Sequence, residues 1–132
     1  MPKSVRILIA DDDEIIRSVL AAICSSLTAT LVVAQASDGE QLMERFEATS
    51  PDVVLLDIDM PKLSGAEALK KIKERSPATS VLMLTANSTP SVVKDCLRNG
   101  AQGYVLKTNP PDVIRASIRE LCFKQMKRMA EK

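Results

Sequence analysis

The sequence predicts an α/β fold: a doubly wound, five-stranded parallel sheet covered by helices on both faces. Three observations lead there. Short apolar runs alternate five times with amphipathic stretches. The runs are continuous rather than alternating, as strands buried on both faces require. Acidic clusters, Asp11-Asp12-Asp13 and Asp57-Ile58-Asp59, directly follow two of the runs. Carboxylates at the end of a buried strand repel one another, so the arrangement makes sense where parallel strands share one ligand-binding rim.

The elements follow in order, with strands expected at Val5–Ala10, Leu31–Gln35, Val53–Asp57, Val81–Thr85 and Gly103–Leu106. Asp13 is placed to cap the first helix, which carries Ile16, Val19, Leu20, Ile23 and Leu27 on one face. Ser37-Asp38-Gly39-Glu40 and Ser64-Gly65-Ala66-Glu67 read as Ser-x-x-Glu capping boxes that open the second and third helices. Thr89-Pro90 opens the fourth, which stops at Asn99-Gly100. Asn109-Pro110 opens the fifth, whose stripe is Ile114, Ile118, Leu121, Met126 and Met129. Strand–helix alternation of this kind builds βαβ units. One domain over residues 1–132 is expected, its core spanning about 4–122 and its last helix reaching about 130.

Composition narrows the function. The formal net charge is +1 and 27% of residues are charged, so no basic nucleic-acid footprint exists. Aromatics at 2% provide no stacking platform for single strands. Histidine is absent, which excludes Ser-His or Cys-His catalysis, a His-ligated zinc site and service as a phosphohistidine donor. Cys24, Cys96 and Cys122 are widely spaced and read as free thiols of a reducing compartment. Met1-Pro2-Lys3-Ser4 carries no signal peptide and no run approaches a transmembrane length, so a soluble, cytoplasmic protein without membrane or direct nucleic-acid partners is expected.

Four strand ends bring functional groups to the rim: Asp11 and Asp12, Asp57, Thr85, and Lys107. Converging carboxylates suit a hard, oxygen-preferring cation, with Mg²⁺ the natural candidate. The set Asp11-Asp12, Asp57-Ile58-Asp59-Met60-Pro61, Leu84-Thr85-Ala86 and Gly103-Tyr104-Val105-Leu106-Lys107 resembles the receiver domain of two-component response regulators across essentially the whole chain. The resemblance implies a CheY-like, flavodoxin-like (βα)5 topology with strand order 2-1-3-4-5. It also implies that Asp57 accepts a phosphoryl group from a histidine kinase or phosphotransfer protein. Mg²⁺, with Mn²⁺ as substitute, would be held by Asp12, Asp57 and the backbone carbonyl of Asp59, and by Asp11 through water. Lys107, the Thr85 hydroxyl and the Ala86 N–H would meet the phosphoryl oxygens. Slow self-dephosphorylation would follow, without conventional enzyme turnover. The acidic Asp59 side chain, with Asn87, would tune the site.

Thr85 and Tyr104 are then the expected switch pair, and the fourth helix, fifth strand and fifth helix the output surface. That surface would control a partner or an output domain, or form a homodimer on phosphorylation. Where many receivers have Lys-Pro, this chain has Lys107-Thr108, so the peptide is expected to be trans or a strained cis bond. The string Gly103 to Pro110 resembles the branch usually fused to a helix-turn-helix domain. Two other readings compete on the same residues. Leu55-Leu56-Asp57-Ile58-Asp59 is similar to the nucleophile motif of haloacid-dehalogenase-type phosphatases, although the acidic pair here lies upstream and no cap domain is present. A flavodoxin-like cofactor binder would share the fold, against the scarcity of aromatics and the lack of a Gly-rich phosphate loop.

Overall fold

A computed structural model describes residues 4–86 and 90–131. The elements are β1 (Val5–Ala10), α1 (Glu14–Ser25), β2 (Thr30–Ala36), α2 (Gly39–Thr49), β3 (Val53–Asp57), α3 (Gly65–Arg75), β4 (Ser80–Thr85), α4 (Pro90–Arg98), β5 (Gly103–Leu106) and α5 (Pro111–Ala130). All strand pairs are parallel and the sheet order is β2-β1-β3-β4-β5, as the resemblance implied.

Period-two alternation divides the strand side chains between two cores. Leu8, Ala10, Val54, Leu56, Val81 and Met83 meet Leu42, Phe46, Leu69, Ile72 and Cys96 of α2, α3 and α4. On the other face Ile7, Ile9, Val53, Leu55, Leu84 and Val105 meet Leu20, Ile23, Cys24, Ile114, Ile118 and Cys122 of α1 and α5. β3 and β4 are buried throughout, which is why they read as unbroken apolar runs. β2 lies at the edge, and its Leu31 is half exposed. Its register slips beside Ile7/Leu8, where the partners step from Val32 to Ala34.

Helix starts depart from the sequence reading in two places. Asp38, not Ser37, caps α2, and its carboxylate accepts the Gln41 N–H at 2.8 Å. Ser37 is occupied otherwise, donating its N–H and hydroxyl to Gln41 Oε1. The fifth helix starts one residue later than expected, at Pro111, with Pro110 at the cap. A residue before proline is pushed out of the helical region, and Pro110 accordingly sits at ψ 149. Asp13 caps α1 as expected, accepting from Ile15 and Ile16, and Ser64 caps α3. The Thr89 cap and Asn87 fall outside the described residues. Val19, expected on the buried stripe of α1, is 40% exposed, because the apolar arc of that helix runs past the edge of its core contact. Lys107-Thr108 is trans, since no described peptide bond is cis.

Candidate functional site

Parallel strands deliver their ends to one rim. Asp11 follows β1, its N–H donating to the Ala36 carbonyl at the end of β2. Its Oδ1 accepts the Asp13 N–H at 2.9 Å, and it is fully buried. Asp57 is the last residue of β3, 2% exposed, in register with Leu84. Lys107 follows β5 and is tied to β4 by an N–H bond to the Thr85 carbonyl, 2.8 Å.

The Lys107 ammonium lies between the two buried carboxylates, 2.6 Å from Asp11 Oδ2 and 3.0 Å from Asp57 Oδ1. Asp57 Oδ1 also accepts the Asp59 N–H at 3.1 Å. Asp57 Oδ2 is buried and has no hydrogen-bond partner among the described residues, whereas Asp11 Oδ2 is engaged only by the ammonium. Burial pushes the Asp57 carboxyl up to about 6, and the Asp11 charge adds to this. The Lys107 and Asp59 contacts act in the opposite sense without cancelling it. Burial pulls the Lys107 ammonium down, yet its hydrogen bonds and charge contacts with Asp11 and Asp57 prevail and hold it above the usual lysine range.

Asp12 is exposed, but it brings one carboxylate oxygen within 4.8 Å of oxygens from Asp11 and Asp57. Two buried carboxylates share one ammonium, a third stands beside them, and one buried oxygen is orphaned. Such an all-oxygen donor set fits a hard divalent cation. Asp59 faces solvent with its side chain and reaches Asp57 only through its backbone. Thr85 is buried at the end of β4, Ala86 is exposed, and Tyr104 is 46% exposed on β5. Sequence reasoning saw in Gly65 only a position inside a capping box. A Cβ there would lie 2.1 Å from the Asp57 carbonyl oxygen, so its missing side chain lets α3 begin against the end of β3. The signal in the sequence was a glycine four residues after Pro61, in Pro61-Lys62-Leu63-Ser64-Gly65.

The family model for the response regulator receiver domain matches residues 7–119. The chain belongs to the response regulator receiver domain family. This receiver domain is 36% identical to the transcriptional regulatory protein YxjL of Bacillus subtilis, over 87% of this chain and 55% of that protein. It thus spans about half the length of the curated relatives it matches. Among solved structures, the signal receiver domain of NarL from Mycobacterium tuberculosis superposes with a TM-score of 0.84 at 30% identity, covering 92% of this chain and 98% of that one. CheY of Borrelia burgdorferi, solved as a complex with CheX, BeF3 and Mg²⁺, gives 0.83 at 28% identity over 89% of each chain. Response regulators are signalling proteins rather than conventional enzymes, and the family match displaces the phosphatase and flavodoxin-like readings. No helix among the described residues is long and apolar enough to cross a membrane.

Proposed function

We propose that this receiver domain is a phosphorylation-dependent switch in which Asp57 takes a phosphoryl group from the phosphohistidine of a histidine kinase or phosphotransfer protein. The observation that carries this reading is the orphaned Asp57 Oδ2, a buried carboxylate oxygen beside an ammonium and two further carboxylates. Attack by that oxygen forms a P–O bond to the Asp57 carboxyl as the P–N bond to imidazole breaks, the electron pair leaving with the ring nitrogen. A carboxyl titrating at about 6 is largely ionised near neutral pH, so the nucleophile is available.

The other residues manage charge. Lys107 already touches Asp57 and would compensate a phosphoryl oxygen. The Thr85 hydroxyl and the Ala86 N–H would hold the remaining oxygens. Asp12, Asp57 and the Asp59 carbonyl would hold Mg²⁺ or Mn²⁺, with Asp11 acting through water. The cation, when bound, supplies neutralisation of the phosphoryl oxygens. Support for a cation and a phosphoryl-like anion together comes from the CheY neighbour solved with BeF3, a tetrahedral stand-in for a phosphoryl group, and Mg²⁺.

Occupancy would be read through Thr85 drawn toward the phosphoryl group and Tyr104 turning inward from its exposed position. The surface of α4, β5 and α5 would then control an output domain or pair two copies. Relatives named as transcriptional regulators, twice as long as the matched segment, support an output domain that contacts DNA. The receiver itself, at net charge +1, would serve in the cytoplasm as one domain without touching DNA or membrane. Incubation with an acyl phosphate and Mg²⁺ tests the reading by intact mass. Wild type should gain one phosphoryl group and Asp57→Asn none. A folded wild type that gains nothing removes the reading.

A further inference from the structure

The segment that joins Asp57 to α3 is clasped by the start of α2. Lys62 has φ +71, and the Leu63 N–H donates across it to the Pro61 carbonyl at 2.9 Å. This is a γ-turn that an L-residue adopts under strain. Strained backbone persists only where its surroundings over-determine it. Here the surroundings are the first residues of α2. Lys62 Nζ lies 3.0 Å from Glu40 and 3.7 Å from Asp38. The Gly39 N–H donates to the Pro61 carbonyl at 3.3 Å. Leu63 packs so closely that a Cβ on Gly39 would lie 2.1 Å from its own Cβ.

The far end of the segment is anchored by the Gly65 N–H on the Ile58 carbonyl, 2.8 Å. Asp59 is held between these two anchors, with its N–H on Asp57 Oδ1. Asp38 is already committed to the Gln41 N–H as helix cap, which leaves Glu40 as the nearer partner of Lys62. Anything that loosens the turn also loosens the Asp59 backbone, whose N–H reaches Asp57 Oδ1.

We infer that Lys62 and Glu40 are a positioning pair for the divalent cation, holding the turn that aims the Asp59 carbonyl and N–H at the site. The inference rests on the cation-binding reading above. Charge alone makes a different prediction. Lys62→Gln removes a positive charge near an acidic rim, so a through-space effect tightens cation binding, whereas Glu40→Gln weakens it. Positioning makes both variants weaker.

Titration calorimetry with MgCl2 on wild type, Lys62→Gln, Glu40→Gln and the charge-swapped Lys62→Glu/Glu40→Lys decides between them. Each single variant should lose about threefold in Mg²⁺ affinity, on the scale of an exposed ion pair, and the swap should recover most of it. Unchanged or tighter binding by Lys62→Gln overturns the inference, as does a swap that binds no better than the singles. Hydrogen exchange in metal-free buffer supplies a readout independent of the cation. Residues 59–64 should exchange faster in both single variants, and equal rates overturn the clasp. Absence of Mg²⁺ binding by wild type would sink the cation reading instead, and the exchange experiment would still judge the clasp.

Discussion

Lys107 is the residue on which the metal-free rim depends. It pairs with two carboxylates that are almost completely buried, and no other cation among the described residues touches them. Replacing it with Met should leave two buried negative charges facing each other at a cost of about 3 kcal/mol. In an Asp57→Asn background the same replacement should cost much less, and a double-mutant cycle from urea unfolding measures the difference. Asp57 sets the pH dependence. Its folded value of about 6 lies above the ordinary 3.8, so the folded state binds the proton more tightly. Stability tied to that proton is complete below about pH 4 and is lost as pH rises through about 6. Two units are worth about 3 kcal/mol at most. Metal-free Asp57→Asn should therefore be more stable than wild type at neutral pH, the advantage shrinking as the pH falls toward about 4. An advantage independent of pH would contradict the desolvated carboxyl.

At the scale of elements, α5 is held to the sheet by a buried polar contact as well as by its apolar stripe. Gln125, 4% exposed, accepts from the Ser80 hydroxyl at 2.6 Å and donates to the Ala78 carbonyl at 3.0 Å. Gln125→Ala should destabilise by about 2 kcal/mol through the two groups left unpaired, visible as a lower urea midpoint. The sequence reading of α5 took its stripe from apolar spacing alone and so passed over Gln125. Spacing carries much of the fold because it is local: Val5–Ala10, Val53–Asp57 and Gly103–Leu106 match residue for residue. Spacing fails where neighbours decide. The exposure of Leu31 follows from the edge position of β2, and the one-residue shift at Asp38 from Gln41 reaching back to Ser37. At the site, residue types announced an acidic rim of the kind that suits a cation. The ammonium shared by Asp11 and Asp57, and the left-handed Lys62, depend on contacts between strands and helices far apart in the chain.

For the molecule as a whole, the two cores and the rim should respond separately. Burial pushes the Cys24 thiol up to about 12, with the nearby Cys122 adding to it, and Cys122 itself up to about 11. Both stay protonated in the fold while the unfolded chain ionises near 9, so stability is complete below that pH and falls as the solution is made more alkaline. Thiol labelling at neutral pH should accordingly track global unfolding, and rapid labelling of the native protein would contradict the packing of α1 and α5. The rim should answer to cations: the melting temperature should climb with the logarithm of Mg²⁺ concentration once binding saturates, and Asp12→Ala should flatten that rise. Asp57 should be the residue that carries the phosphoryl group. Treatment with phosphoramidate and Mg²⁺, followed by borohydride reduction and peptide sequencing, reads the modified position directly. Reduction is expected at position 57 alone; modification at Asp11, Asp12 or Asp59, or at no aspartate of a folded, Mg²⁺-loaded protein, would rule out Asp57 as the acceptor.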